Sequence, residues 1–516
     1  MQRNTSLLQA DQDQAFNIGS MLWQASIARA AVPWKACARL HWRTATVVPL
    51  RSVRFFSQDK DSEFNAGARK PTLDTKNSAQ LQPQAEAPEQ VNKETSPENV
   101  NHPPKEELTP LAKHIRDSIK IQGPMSVAHF MRQVLVNPLS GYYMQGDVFG
   151  TQGDFVTSPE ISQMFGELLG IWFLVQWQNI GKPSRVQIAE LGPGRGTLMM
   201  DMLRAASRFK EFRKAISGVH LIEASPGLRK VQREKLCGIP ISEEQADGGS
   251  REGITSALRP DGLQIHWHDV FDDLPGECSL IVAHEFFDAL PIYKFERTEE
   301  GWRELVVDLE EDAASLYHFR FVLAPGPTQA SRAFAEHPAY DHYKPGDRIE
   351  ISPDSFRVAH DMAQHMNKHG GSALIIDYGK DHIQGDTLRG IKKHKFTHVL
   401  TEPGKVDLSA DVDFQYLKQA TEDLVDCHGS VTQAHLLHSL GIGARLQMLL
   451  AKATASQRET LISSYHRLVD PKEMGNVYRV MAMTPRESPI PIAFEPQPQT
   501  ASTDSSSTTS SPPSSA

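Results

Sequence analysis

The stretch that decides the fold is AELGPGRGTLMMDML, residues 189–203. Its three glycines, Gly192, Gly194 and Gly196, follow an apolar run and precede an amphipathic pattern with helical spacing. A junction of this kind predicts a strand, a tight turn and a helix, in which bare backbone N–H groups approach a ligand closely. A tight turn that holds no ligand is the alternative interpretation of the glycines alone.

The order of the glycines and one nearby acid indicate which ligand the turn holds. Dinucleotide-binding turns have the pattern G-x-G-x-x-G, whereas this turn has G-x-G-x-G and is preceded by Glu190. A carboxylate repels a pyrophosphate at close range and attracts a cationic or amino-bearing ligand. S-adenosyl-L-methionine has a positive sulfonium and a positive α-amino group, and its carboxylate can accept hydrogen bonds from the turn. The pattern therefore predicts S-adenosyl-L-methionine as the cofactor, with a dinucleotide-dependent oxidoreductase as the alternative.

Other polar residues at strand and helix ends are expected to complete the cofactor site. Glu223 ends the second predicted strand, where a carboxylate suits the two ribose hydroxyls, and Asp269 follows the third, where it suits the adenine amino group. Thr157, Ser158 and Glu160 begin a helix after a glycine-rich loop. This segment is expected to fold over the cofactor as a lid, because helix N-termini bind carboxylates.

Short apolar runs alternate with helical patterns along much of the chain. This alternation predicts βαβ units and a mostly parallel, doubly wound sheet. The predicted fold class is α/β, doubly wound, with an N-terminal helical region and an inserted β-ribbon. The predicted strands are VQIAEL (186–191), GVHLIE (218–223), LQIHWH (263–268), SLIVAHE (279–285), ALIIDYG (373–379) and an antiparallel edge strand, VYRVMAM (477–483).

Apolar residues at helical spacing predict three helices before the glycine turn. They cover residues 108–122, residues 127–136 with Ser126 as N-cap, and a longer helix from about 159 to 177 with Ser158 as N-cap.

Composition divides the chain into segments. The residues between Gln14 and Gln58 include no acid and several arginines, and RFFS (54–57) resembles a processing site, so cleavage is expected after Phe56. Polar stretches on either side of the central region have too few large apolar residues to compensate for the entropy lost on ordering. The predicted segments are a mitochondrial transit peptide (1–56), a disordered linker (57–107), an N-terminal helical and lid region (108–180), a methyltransferase domain (181–485) with insertions at about 292–350 and 380–430, and a disordered tail (486–516).

Charge and composition disfavour several other functions. The net charge is −9, without a stripe of Lys and Arg interleaved with aromatics, which argues against nucleic acid as a partner. No apolar run reaches the roughly 20 residues of a membrane-spanning helix. The four cysteines have no CxxC spacing, and the pair His266 and His268 lacks a third ligand, so no metal is predicted. The oligomeric state is not indicated.

Seven motifs stand in order between residues 153 and 414: GDFVTSPEISQMFGELLG, ELGPGRGTLMMDMLR, HLIEASPGLR, AHEFFDALP, IIDYG, GDTLRG and PGKVDLSADVDF. Together they resemble the MidA-like family, the mitochondrial complex I assembly methyltransferases. The resemblance implies a class I S-adenosylmethionine-dependent methyltransferase fold with a Rossmann-like sheet. It also implies a matrix enzyme that symmetrically dimethylates an arginine of the forty-nine-kilodalton subunit of complex I and so supports assembly of NADH:ubiquinone oxidoreductase. A non-catalytic assembly chaperone that retains the fold is the alternative.

The motif AHEFFDALP leaves the fourth predicted strand at its carboxyl end and holds the candidate catalytic residues. Glu285 and Asp288 are expected to bind the substrate guanidinium, because carboxylates match its planar fork of donors; helix capping is the alternative role. Phe286 and Phe287 are expected to form the pocket wall, and His284 is a candidate proton acceptor or a structural histidine. Further candidates for a contact with the substrate are Asp377 and Arg389.

Overall fold

The computed structural model describes residues 107–144, 157–238, 255–312 and 314–495. Its strands are β1 (Met125–Ser126), β2 (Val186–Leu191), β3 (Ile216–Ile222), β4 (Ser256–Leu258), β5 (Gln264–His268), β6 (Ser279–His284), β7 (Tyr293–Thr298), β8 (Gly301–Leu309), β9 (Phe319–Leu323), β10 (Arg348–Ile351), β11 (Gly371–Lys380), β12 (Arg389–Lys392), β13 (Lys395–Thr397), β14 (Asp407–Ser409), β15 (Val412–Asp413), β16 (Asp426–Thr432) and β17 (Tyr478–Thr484).

The α-helices are α1 (Pro110–Gln122), α2 (Val127–Val136), α3 (Ser158–Ile161), α4 (Gln163–Asn179), α5 (Thr197–Ala206), α6 (Lys210–Ala215), α7 (Pro226–Cys237), α8 (Pro353–His369), α9 (Phe414–Thr421), α10 (Gln433–Ser439), α11 (Ile442–Leu450), α12 (Ala455–Val469) and α13 (Met474–Val477). Among the described residues, no helix combines the length and the apolar character that a bilayer crossing requires.

The central sheet has the strand order β16-β17-β11-β6-β2-β3-β5-β4, with β15 paired to the end of β11. The strands from β5 to β11 in this order are parallel to one another, whereas β4 and β17 are antiparallel to their neighbours. The predicted doubly wound α/β class is therefore confirmed. The chain reverses the direction in which it adds strands between β2 and β6, and ligands of open α/β sheets bind at this switch point.

The two faces of the sheet are covered by helices, which explains the near-continuous apolar runs. Every residue of β2 and β6 is buried, as expected for parallel strands covered on both faces. One core packs the helices α4 and α5 against the sheet, with Trp172 and Met199 fully buried. The other packs α8, with Met362 fully buried.

The predicted ribbon insertion is part of a larger antiparallel sheet. Strands β7, β8 and β9 follow the predicted alternation, and both β10 and the short β1 extend the sheet at its edges. Helices α1 and α2 pack on this sheet, where Phe130 contacts Phe319 with ring centroids 6.1 Å apart. The second predicted insertion contains a three-stranded sheet of order β13-β12-β14.

The structure corrects three local predictions. The helix predicted from Pro159 is two helices, because Ser162 is extended and caps α4 by accepting a hydrogen bond from the Met164 amide. Strand β17 is antiparallel as predicted but is not at the edge, since β16 pairs with its outer side. The folded unit continues past residue 485, where Ala493 and Phe494 are buried in the core.

Several predictions fall outside the described residues. These are the transit peptide (1–56), nearly all of the linker (57–107), the part of the lid loop with Gly153 and Asp154, and the tail from residue 496.

Candidate functional site

A cavity of about 1190 Å³ lies at the carboxyl ends of β2, β3 and β6. Ligand pockets usually span about 300–1,000 Å³, so the space suffices for a nucleoside cofactor and a substrate side chain. Its lining includes the glycine turn after β2, the end of β3 and the segment after β6. The cavity therefore lies at the topological switch point of the sheet.

The glycine turn adopts the backbone that only glycine accepts readily. Gly192, Gly194 and Gly196 have φ values of 61°, 51° and 76°, in the left-handed region. A Cβ atom on Gly192 would lie 3.0 Å from Cδ2 of Phe286. The turn leads directly into α5 at Thr197, so the predicted strand, turn and helix are all present.

Glu190 has the properties expected of a group that binds a cation. Its side chain is buried, with 3% of the residue exposed, and its Oε2 has no hydrogen-bond partner among the described residues. Burial, and then the nearby Glu223 carboxylate, raise its pKa to about 8. A buried acceptor without a donor at the cavity wall fits a positively charged or amino-bearing ligand.

Glu223 is held by a hydrogen-bond network that orients both of its oxygens. Oε1 accepts from the Ser225 amide at 2.8 Å, and Oε2 accepts from Nε2 of Gln232 at 3.1 Å. Gln232 also donates to the Gly194 carbonyl and accepts from Nε1 of Trp267. Because each carboxylate oxygen can accept a second hydrogen bond, this arrangement fits a ribose diol.

Asp269 lines the cavity but has a partner that the sequence did not indicate. Its carboxylate forms an ion pair with Nη2 of Arg229 at 2.5 Å, and 77% of its side chain is exposed. The Arg229 guanidinium also donates to the Glu223 carbonyl at 2.7 Å. The pair joins the ends of β3 and β5, so Asp269 has a structural contact beside the one predicted with adenine.

The lid segment is in part a wall of the cavity. Thr157 and Glu160 line it, whereas Ser158 is fully buried and donates to Oε1 of Gln433 at 3.2 Å. The prediction that Ser158 caps the helix is wrong, because Thr157 occupies the N-cap position. Glu160 accepts a hydrogen bond from the hydroxyl of Thr197 and so ties the lid to the glycine turn.

Glu285 follows β6 in a left-handed backbone conformation, with φ of 50°. Left-handed φ is unfavourable for a residue other than glycine, and such residues cluster at functional sites. Its Oε1 accepts a hydrogen bond from the hydroxyl of Tyr478 at 2.8 Å. Burial raises the pKa of Glu285 to about 8, although the nearby Ser158 amide acts to lower it.

Asp288 has a buried carboxyl group in which one oxygen accepts a hydrogen bond and the other has no hydrogen-bond partner among the described residues. Oδ2 accepts from the hydroxyl of Tyr378, which also bonds Oγ of Ser409 at 2.6 Å. Oδ1 is buried and lacks a hydrogen-bond partner among the described residues. Burial raises the pKa of Asp288, while the Tyr378 hydroxyl and the Arg389 guanidinium act in the opposite direction. The open oxygen can accept a hydrogen bond from a substrate.

Asp377, and not Asp288, caps the turn after β6. Its Oδ2 accepts from the amides of Phe286, Phe287 and Asp288 at 3.2, 3.0 and 3.3 Å, and its side chain is fully buried. Burial, followed by the neighbouring Asp288 and Glu285, raises the pKa of Asp377 well above its usual value. The predicted substrate contact of Asp377 is therefore replaced by a structural role that positions Glu285 and Asp288.

The aromatic neighbours of the two carboxylates differ in position. Phe286 lines the cavity as predicted, whereas Phe287 is buried in the core, so its predicted place in the wall is wrong. His284 is buried against Phe165, and burial lowers its pKa to about 3. An imidazole with that pKa is a weak base, which favours the structural role for His284.

Arg389, the first residue of β12, lines the cavity. Its guanidinium carbon lies 4.7 Å from the ring centre of Tyr378, and its Nη1 pairs with Oδ1 of Asp411 at 2.7 Å. Tyr378, Tyr478 and Asp411 were not predicted as site residues from the sequence. The motif IIDYG, which contains Tyr378, was the only local signal for this tyrosine. The contacts of Tyr478 and Asp411 with the site join residues that are distant in sequence.

Residues 168–431 match the model of a family described as "Putative S-adenosyl-L-methionine-dependent methyltransferase". The chain is 42% identical over 375 residues to a zebrafish (Danio rerio) protein named protein arginine methyltransferase NDUFAF7, mitochondrial, with 72% of this chain and 86% of the relative covered. The human protein of that name is 40% identical over 391 residues, with 75% and 86% covered.

A solved structure from Burkholderia thailandensis, bound to S-adenosyl-homocysteine, has a TM-score of 0.57 and 24% identity, and covers 72% of this chain and 91% of its own. This likeness supports the class I methyltransferase fold. The family model and the relatives extend the assignment from the fold to the family. The Glu190 carboxyl, whose Oε2 has no hydrogen-bond partner among the described residues, fits the cationic cofactor named in the family's description. The chain therefore belongs to the MidA-like family of S-adenosyl-L-methionine-dependent methyltransferases that includes the NDUFAF7 proteins.

Proposed function

We propose that the chain is a protein arginine N-methyltransferase of the mitochondrial matrix that supports assembly of complex I. One observation carries the proposal: two carboxyl groups, those of the partly buried Glu285 and the buried Asp288, line the same cavity as the glycine turn, and each is held by a tyrosine hydroxyl. Carboxylates in this arrangement suit a guanidinium, which presents a planar set of donors.

The cofactor would supply an electrophilic methyl group on a positively charged sulfur, and S-adenosyl-L-homocysteine would be the leaving group. We propose that Glu190, Glu223 and the N–H groups of the turn bind its charged groups and ribose, and that Asp269, Thr157, Ser158 and Glu160 support the adenine and the lid. Of these, Ser158 acts through its amide on Glu285 rather than through a contact with the cofactor.

On the substrate side, Asp288 accepts a hydrogen bond from the guanidinium through its open Oδ1, and Glu285 orients the nitrogen that is methylated. Holding that nitrogen at near-attack distance from the methyl group lowers the activation free energy of the transfer. The nitrogen loses a proton as the new N–C bond forms, and the ionised Glu285 is positioned to accept it. His284 remains a candidate acceptor, although its low pKa disfavours it.

The target and the outcome of methylation rest on the family resemblance. We propose symmetric dimethylation, the type II specificity, of an arginine in the forty-nine-kilodalton-type subunit of complex I. The relatives are named mitochondrial, which supports the matrix location predicted from the transit-peptide composition at the start of the chain.

The test is methyl transfer to this purified complex I subunit from a donor with a deuterated methyl group, followed by tandem mass spectrometry. The expected result is a mass increase on one arginine, with the fragment pattern of symmetric dimethylarginine. Cofactor binding without transfer to this subunit under any condition would instead support a chaperone that retains the fold.

A further inference from the structure

A hairpin with positive charge lies at the mouth of the cavity. Residues 389–397, here called the basic hairpin, consist of β12, β13 and a turn at Lys393 and His394, which both have positive φ values of 49° and 60°. Such a two-residue turn matches the twist of its strands. The hairpin thus forms a defined element and extends from Arg389 inside the cavity to an exposed tip.

The tip exposes two lysines, one histidine and one large apolar side chain. Lys393, His394 and Lys395 are exposed, and Phe396 is 77% exposed. Phe396 pairs across the strands with Ile391, and both line the cavity. The hairpin therefore presents an apolar face towards the cavity mouth and positive charge beside it.

Three acids in this region are paired with cations, and one of these cations, Lys392, belongs to the hairpin itself. Asp381 pairs with Lys418 at 2.7 Å, Asp386 pairs with Lys294 at 2.9 Å, and Glu402 pairs with Lys392. Lys380, exposed at the end of β11, lines the cavity mouth, and no ion pair to it is found in the part of the chain that the structure describes. The mouth is thus positive on this side.

The interior of the cavity is lined by acidic side chains. Glu190, Glu285 and Asp288 lie at its base, and the exposed acids Asp269 and Asp272 follow β5 on the cofactor side. A chain that inserts an arginine towards Glu285 crosses the mouth, where its neighbouring residues meet the basic hairpin. Complementary charge at such a rim favours the encounter and selects among partners.

We propose that the basic hairpin is a docking surface for an acidic protein segment, in which the target arginine is flanked by Asp or Glu and an apolar residue packs on Phe396. This inference rests on the proposed function, because it assumes that an arginine enters the cavity. The occupant is a protein segment because the hairpin borders the mouth of a cavity whose base has guanidinium-binding carboxylates.

The test measures binding of three fluorescent peptides of equal length to the full chain by anisotropy. Each peptide has a central arginine and one apolar neighbour, and its flanks contain Glu, Gln or Lys. We expect the Glu peptide to bind about fivefold more tightly than the Gln peptide, and this advantage to fall when salt is raised from about 50 to about 500 mM.

Matched variants locate the effect. Lys393→Glu/Lys395→Glu is expected to abolish or reverse the preference, and Phe396→Ala to weaken binding of all three peptides. The control Lys214→Glu/Lys368→Glu makes the same change of charge at exposed residues that precede β3 and β11, near the amino ends of the parallel strands and away from the cavity. This control is expected to keep the preference. Equal affinities for the peptides, or an equal loss in the control, would overturn the proposal.

Methyl transfer to the same peptides separates this inference from the proposed function. Transfer without a preference for acidic flanks removes the docking surface and leaves the function intact. Preferential binding of the Glu peptide without transfer to any arginine removes the proposed function and the docking role with it. Capture of vesicles with anionic phospholipid through Lys393 and Lys395, without a peptide preference, would also overturn the proposal.

Discussion

Glu285 combines a strained backbone, a tyrosine hydroxyl and a burial that raises its pKa to about 8. Below that pH the free enzyme has a neutral carboxyl, which cannot pair with a guanidinium. We therefore expect kcat/KM for the protein substrate, at saturating cofactor, to rise with pH and level off near pH 8, since kcat/KM reports groups of the free enzyme.

The matched variant for this profile is Glu285→Gln, which keeps the shape and removes the ionisation. We expect it to lower kcat/KM by about 10²-fold or more and to flatten the rise near pH 8, with affinity for S-adenosyl-homocysteine within about twofold of the wild type. A wild-type profile that is flat or falls between pH 6 and 8 contradicts the assignment, as does an active variant.

Glu190 is expected to lower stability in the absence of cofactor. Burial raises its pKa from 4.5 to about 8, so its contribution to folding stability is fully present below the unfolded value and is lost as pH rises towards 8. We expect Glu190→Gln to raise the free energy of unfolding of the cofactor-free protein by about 1 kcal/mol or more at pH 8.5, and by less at pH 6.

Chemical denaturation at the two pH values, together with calorimetry, measures both sides of this prediction. The same variant is expected to bind S-adenosyl-homocysteine at least tenfold more weakly, because the neutral amide attracts a cation less. Two results would contradict this role of Glu190. One is an unchanged affinity of the variant for S-adenosyl-homocysteine, and the other is a variant that is less stable than the wild type, with the larger loss at pH 8.5.

The sequence indicated the acids at strand ends, because strands of a parallel sheet end at one edge. It did not indicate which acid caps the turn after β6, since the choice between Asp288 and Asp377 depends on two strands that are far apart in the chain. The tyrosines that hold the carboxylates were missed for the same reason. The part of the site that local pattern determines was predictable, and the contacts between distant segments were not.

At the scale of elements, the glycine turn gives the sharpest test. Gly192 and Gly181 both have positive φ, 61° and 88°, but a Cβ atom would meet Phe286 only at Gly192. Alanine is expected to cost roughly 1–2 kcal/mol of stability at either position, because left-handed backbone is strained for residues with a Cβ. Only Gly192→Ala is expected to weaken cofactor binding.

Thermal unfolding and calorimetry with S-adenosyl-homocysteine compare the two variants directly. Equal loss of affinity in Gly181→Ala would mean that the effect at Gly192 is general destabilisation and not a disturbance of the turn.

The elements themselves were predictable to different degrees. The five parallel strands have apolar runs that the sequence displays, and each is a strand in the structure. Strand β16, DCHGSVT, is mixed in polarity and gave no signal, which explains why β17 was predicted at the edge. The sheet of β12, β13 and β14 was predicted only as a long insertion, since its strands are too short to display a periodic pattern.

At the scale of the whole molecule, the fold extends beyond the predicted end of the domain. Phe494 is 9% exposed and packs in the core with the sheet and the helices α10 to α13, whereas Phe396 is 77% exposed. We expect Phe494→Ala to lower the free energy of unfolding by about 3 kcal/mol and Phe396→Ala to change it by less than about 0.5 kcal/mol. Equal effects in urea denaturation would place the domain boundary before residue 490.

We predict that the methyl donor and the acceptor arginine meet at the switch point between β2 and β6. A crystal structure with S-adenosyl-homocysteine and an arginine peptide tests it most directly. We predict the ribose at Glu223, the methionine end beside Glu190 and the glycine turn, and the guanidinium between Glu285 and Asp288. A nucleoside bound away from residues 190–196, or a guanidinium bound away from residues 285–288, would contradict the account.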